Sequence, residues 1–91
     1  MERIPFEIGR VVYSTQGRDE GRYFIVVEMA DENHVLLCDG QTRKLDHPKK
    51  KKLIHIKAKP CKMEEYTQLK ETNTLQDASI RRFLEANGFG L

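Results

Sequence analysis

No apolar run in the sequence approaches the ~20 residues that a membrane span requires, and the opening MERIPFEIG lacks the apolar core of a signal peptide. A soluble, cytoplasmic protein is the expectation, with no membrane partner. Cysteine is scarce. Cys38 and Cys61 are the only two, and their spacing gives neither a zinc knuckle nor a disulfide framework. Cys38 ends the apolar run Val35-Leu36-Leu37 and reads as a small core residue. His34, His47 and His55 add no metal site, because no pair has the C-x2-4-C or H-x3-5-H spacing that places ligands on a tetrahedron. No metal and no cofactor is expected.

Catalytic patterns are missing as well. Ser14 and Ser79 have no evident His/Asp partner pattern, and Gly17 to Gly21 lacks the GK[ST] of a phosphate-binding P-loop. The adjacent carboxylates Asp19-Glu20, Asp31-Glu32 and Glu64-Glu65 lie in polar, turn-like segments that would not raise a pKa. The sequence predicts a protein that is not an enzyme.

What is present is charge, unevenly placed. The chain has 91 residues, 33% charged and 38% apolar, with a net charge of +2. One domain of this size buries only about 60% of its unfolded surface, enough for one modest core. From Gln41 to Lys62 there are nine Lys or Arg and one acid (Asp46), hence +8, while the remainder has seven basic and thirteen acidic residues, hence −6. A cationic block on an otherwise acidic chain points toward a polyanion.

The first half reads as strands and tight turns. Ile8, Val11, Val12 and Tyr13 open an apolar segment that stops at Ser14-Thr15-Gln16-Gly17. Tyr23-Phe24-Ile25-Val26-Val27 is β-branched and aromatic, as a well-covered strand should be. Ala30 to Asn33 is turn-like, and His34 to Cys38 reads as a third strand. Asp39-Gly40 then predicts a type I′ hairpin, with Thr42-Arg43-Lys44-Leu45 as the returning strand. Pro48 and the run Lys49-Lys50-Lys51-Lys52 interrupt, and the alternation in Leu53 to Lys57 predicts a closing strand. Short strands that follow so closely must curl to remove their edges, which predicts a small barrel.

After Pro60 the character changes. Met63 to Asn73 reads equally as a short helix or a loop. Thr74-Leu75-Gln76-Asp77 resembles a capping box with Thr74 as N-cap. Ile80, Phe83 and Leu84 share a helical face, and Asn87-Gly88 is a stop signal, so a C-terminal helix of about three turns is expected. The division is a barrel over 1–59, a connecting segment over 60–73 and the terminal helix and tail over 74–91.

The most specific stretch runs from Gly9 to Val27: strand, glycine-punctuated basic loop, strand. It resembles the KOW motif. Gly17 and Gly21 bracket the connection that would display Arg18 and Arg22. Together with Asp31-Glu32-Asn33-His34-Val35-Leu36-Leu37, the lysine run and Ile54-His55-Ile56, the chain is similar to the archaeal and eukaryotic large-subunit ribosomal protein fourteen-e family, and to its short bacterial relatives. The resemblance covers roughly residues 5 to 57. It implies a mostly β, SH3-like (KOW) barrel with a C-terminal α-helix, a monomer when free, that contacts structured RNA and has ribosomal RNA or the large subunit as partner. Two features depart from the ribosomal pattern: the basic run is all lysine, and the remainder is acidic.

The residues expected to bind RNA are Arg18, Arg22, Arg43, Lys44, Lys49, Lys50, Lys51, Lys52 and Lys57, with Gly17 and Gly21 setting the loop. Arginine forks onto phosphates or stacks on bases, whereas lysine supplies affinity and salt dependence. Blander readings exist: the glycines alone make a hairpin turn, and lysines on a strand edge also prevent edge-to-edge aggregation. Tyr13 is ambiguous, and of Tyr23 and Phe24 at most one faces out, since neighbours on a strand alternate. A protein-interaction module of the KOW or SH3-like type, associated with transcription or translation machinery, is the main rival. A DNA-associated factor is a second.

Overall fold

The run Tyr23 to Val27 has no polar residue to turn toward water, so a strand built from it needs cover on both faces. The computed structural model, which describes residues 4–90, provides that cover. Five strands, β1 (Arg10–Ser14), β2 (Tyr23–Asp31), β3 (His34–Cys38), β4 (Lys49–Lys52) and β5 (Ile56–Lys62), form one antiparallel sheet in the order β4-β3-β2-β1-β5. β4 and β5 lie at opposite ends of that order yet are joined by a single 3-10 turn, Leu53–His55. The sheet must therefore curl until its ends approach, which gives the SH3-like barrel. The backbone N–H and hydroxyl of Thr15 both donate to the His55 carbonyl, at 2.9 and 2.8 Å, and extend the β1–β5 pairing into that turn.

Alternation along β1 and β2 sends side chains into two separate cores. Val12, Phe24, Val26, Val35, Leu37 and Ile56 fill the inside of the curl, with Phe6, Ile8 and Leu53 packed against them. Val11, Ile25, Val27 and Cys38 point outward and meet Met63, Tyr66, Ile80 and Leu84 from the C-terminal segment. Helices α1 (Tyr66–Glu71) and α2 (Asp77–Ala86) thus cover the outer face of the sheet. The face predicted from Ile80, Phe83 and Leu84 is the buried one: Ile80 and Leu84 are sealed off and Phe83 is half-buried. Burial pushes the Cys38 thiol up to about 12, so it stays protonated. No described helix is long and apolar enough to cross a membrane.

Several local expectations are corrected. β2 runs to Asp31, so Ala30 and Asp31 are strand and only Glu32-Asn33 turn. Asp39-Gly40 does not make a two-residue hairpin, and Thr42 to Leu45 is not a strand. Instead the buried Asp39 carboxylate accepts from the Gln41 and Arg43 N–H groups and the Thr42 hydroxyl, at 2.9, 2.8 and 2.6 Å, and organises a loop. Three local donors on one carboxylate outweigh the turn preference of the dipeptide. The strand that returns is the lysine run itself, paired from Leu37↔Lys49 to His34↔Lys52. The closing strand starts at Ile56, and Pro60 lies within it, on an edge strand beside a bulge where a missing N–H is tolerated.

Thr74 is not the N-cap of α2. The helix begins three residues later behind Gln76, and Thr74 instead bonds Thr72 Oγ1 at 2.8 Å. Asp77 takes the Leu45 N–H at 2.8 Å, which ties α2 to the Asp39 loop. Gly40 sits in that contact with φ 79°, and a Cβ there would collide with the Asp77 carbonyl oxygen. Gly40→Ala is therefore expected to cost at least about 2 kcal/mol, combining the left-handed backbone with the clash. Urea denaturation of the variant checks this, and a loss below about 0.5 kcal/mol would contradict the packing.

Candidate functional site

The loop between β1 and β2 is closed by its own backbone. Gly21 N–H donates to the Ser14 carbonyl and Ser14 N–H to that of Arg22, both at 2.9 Å, while Glu20 N–H reaches Gly17 at 3.1 Å. Gly17 has φ 84°, and a Cβ on it would lie 3.2 Å from Lys51 Nζ. Glycine there admits a lysine as well as a turn. Gly21 closes the other end of the same loop, with φ 86°.

Two side chains fasten this loop to the rest of the barrel. Lys51 Nζ donates to the Gln16 carbonyl at 2.7 Å, and the same oxygen accepts from Ser14 Oγ at 3.1 Å. Arg43, from the Asp39 loop, pairs with the carboxylate of Asp19 at 3.6 Å. Asp19 is buried there, not solvated in the way its polar neighbours in sequence imply. The glycine loop, the Asp39 loop and β4 thus meet at one end of the sheet.

The lysine run does not act as a single edge. Lys49 and Lys51 pair with Leu37 and Val35 and share their inward side, whereas Lys50 and Lys52 pair with Leu36 and His34 and face outward. Lys51 is only 8% exposed; its ammonium closes the barrel. Lys49 is half-buried, and Lys50 is exposed with Asp31 at 3.9 Å. Arg18, Lys44, Lys52 and Lys57 are exposed and Arg22 is half-buried, and none of these five has a carboxylate partner among the described residues. Arg18 and Arg22 stand with Arg43 around the glycine loop, Lys52 lies toward the β2–β3 turn, and Lys57 is on β5 opposite Tyr13.

No family model matches the chain. Over 58 residues, 64% of this chain, it is 36% identical to large ribosomal subunit protein eL14 of Pyrobaculum arsenaticum. In sequence the chain is eL14-like. It spans about half the length of that curated relative, 56%.

The eL14-like chain also carries a group that the sequence left open. Tyr13 and Tyr23, paired across β1 and β2, place their rings 5.1 Å apart, and Phe89 packs on Tyr23 at 4.7 Å. Lys59 Nζ sits 5.5 Å from the centre of the Tyr13 ring. Both tyrosines are half-buried and Phe24 is core, which resolves the Tyr23-Phe24 alternatives. Lys59 was not among the expected site residues; its i+2 spacing from Lys57, on the same face of a strand, was the signal. Elsewhere, the His34 ring hydrogen-bonds Asp31 Oδ1 at 2.9 Å, and this contact, followed by the Asn33 N–H, holds the Asp31 carboxyl below the usual carboxylate range. Among the described residues no three His, Cys, Asp or Glu side chains gather as metal ligands would.

The different environments of the lysines predict different variants. Lys51→Ala should cost about 1.5–3 kcal/mol, the range for a hydrogen bond to a charged group in a protected place. Lys44→Ala, on an exposed loop, should stay within about 0.5 kcal/mol. Equal effects in urea denaturation would contradict the closing role of Lys51.

Proposed function

We propose that this chain is a non-catalytic RNA-binding module of the KOW type, and that it contacts ribosomal RNA of the large subunit. The contacts come from Arg18, Arg22 and Arg43 around the glycine loop and from the outward lysines Lys44, Lys50, Lys52 and Lys57. Lys49 lies at the rim of this surface, and Lys51 serves it indirectly by holding the loop. One observation carries the reading: an eL14-like chain leaves Arg18, Arg22, Lys44, Lys52 and Lys57 without carboxylate partners among the described residues, although the rest of its sequence is acidic. Cations left unpaired in this way are available to phosphates. Lysine as a point charge gives affinity through counterion release, while the arginine forks near a fixed loop add local shape reading. Action in the cytoplasm, at the ribosome, follows from the same reading.

The rival, a module that binds protein, draws on the exposed Ile54 and Met29. It predicts that lysine loss is tolerated. The test is the salt dependence of binding to a fragment of large-subunit ribosomal RNA. Replacing Lys44, Lys52 and Lys57 together with Ala should lower the log–log salt slope by about two to three, one per phosphate contact. Arg18→Ala with Arg22→Ala should weaken binding about tenfold or more, as loss of two guanidinium contacts requires. A slope and an affinity that both stay unchanged would overturn the assignment.

A further inference from the structure

Around the 3-10 turn between β4 and β5 lies a depression of about 330 Å3 lined by Asn33, His34, Lys52, Leu53 and Ile54. Its two walls are fixed to each other. The Leu53 N–H donates to the Asn33 carbonyl at 2.9 Å, and His34 faces Lys52 across the β3–β4 ladder. One wall is apolar: Leu53 is half-buried, and Ile54 is 81% exposed, the most exposed large apolar side chain described. The other wall is polar. The ionised Asp31 carboxylate can only accept, so it takes the proton-bearing Nδ1 of His34 at 2.9 Å; in the neutral ring Nε2 is then the atom that accepts from a ligand. The Asn33 carboxamide, a donor and an acceptor together, has no partner among the described residues, and neither has the Lys52 ammonium.

We propose that this depression holds one unpaired RNA nucleotide, an inference that rests on the RNA-binding reading above. The base lies against Ile54 and Leu53, its edge meets Asn33 and His34 Nε2, and its phosphate meets Lys52. An apolar platform beside paired donor and acceptor groups is what an unstacked base needs, whereas a base within a duplex shows no face to it. The volume is at the lower end of the ~300–1,000 Å3 of small-ligand sites, which suits one nucleotide. Charge agrees: Lys50 and Lys52 flank the site, and of the acids beside it Asp31 is engaged by His34 and Lys50, leaving Glu32 alone without a cationic partner among the described residues.

The experiment is a titration of the isotope-labelled full chain with AMP, CMP, UMP and inorganic phosphate, followed by amide chemical shifts. AMP, CMP and UMP are expected to move the amides of Asn33, His34, Leu53 and Ile54 saturably, and inorganic phosphate not at all. Ile54→Ser should weaken AMP at least about threefold while leaving the remaining amide shifts in place. Silence at those amides with every nucleotide, or the same shifts with inorganic phosphate, overturns the proposal. So does a wild-type dimer that Ile54→Ser dissolves, since a second copy would then fill the depression. Binding of the ribosomal RNA fragment on the same sample separates the two levels. If the fragment binds while the depression stays silent, this inference alone fails; if neither binds, the RNA reading fails with it.

Discussion

β2 carries apolar side chains on both of its faces, and neither face can be left to water. Phe24 and Val26 turn inward with Val12, Val35 and Leu37, while Ile25 and Val27 turn outward with Val11 and Cys38. Each such side chain is worth roughly 1.5–3 kcal/mol when fully buried, so the outer face alone demands a cover of several residues. The segment after β5 supplies it through Met63, Tyr66, Ile80 and Leu84. A curled sheet of this length could fill its own interior; only the second face explains why the chain continues into α1 and α2. The close approach of Gly40 to Asp77, and the bond from Leu45 to Asp77, are where that cover is fastened to a loop.

With the hydrophobic demand met by the sheet and its cover, the polar groups at the loop end set shape. Asp39, Asp19 and Lys51 are buried polar side chains, and each is engaged: Asp39 by three donors, Asp19 by Arg43, Lys51 by the Gln16 carbonyl. Lys51 fixes the glycine loop from behind. The neighbouring cations that have no such partner among the described residues are the ones proposed to meet an external anion. Within four consecutive lysines, strand alternation thus divides labour between closing the barrel and facing solvent.

Strand existence was legible because β-branched and aromatic runs such as Tyr23 to Val27 have few alternatives, and the terminal helix because Ile80, Phe83 and Leu84 recur at helical spacing. Asp39-Gly40 misled because turn statistics do not anticipate a carboxylate collecting three donors, nor a helix backbone resting on the glycine. The lysine run was hard to read as a strand: its side chains repel and have poor β preference, and it is held by pairing with His34 to Leu37, a tertiary effect. The pairing of Arg43 with Asp19 joins residues far apart in sequence, so no local pattern announces it. The same holds for the depression at Ile54, whose walls come from two turns.

The cations left outside the barrel are proposed to bind ribosomal RNA. The most direct test is cosedimentation of the purified protein with isolated large ribosomal subunits over a rising salt series. The protein is expected to pellet with the subunit at low salt and to be released progressively as salt increases, because several phosphate contacts are lost to counterions. A protein that stays in the supernatant even at the lowest salt, or a pelleted fraction indifferent to salt, would contradict it.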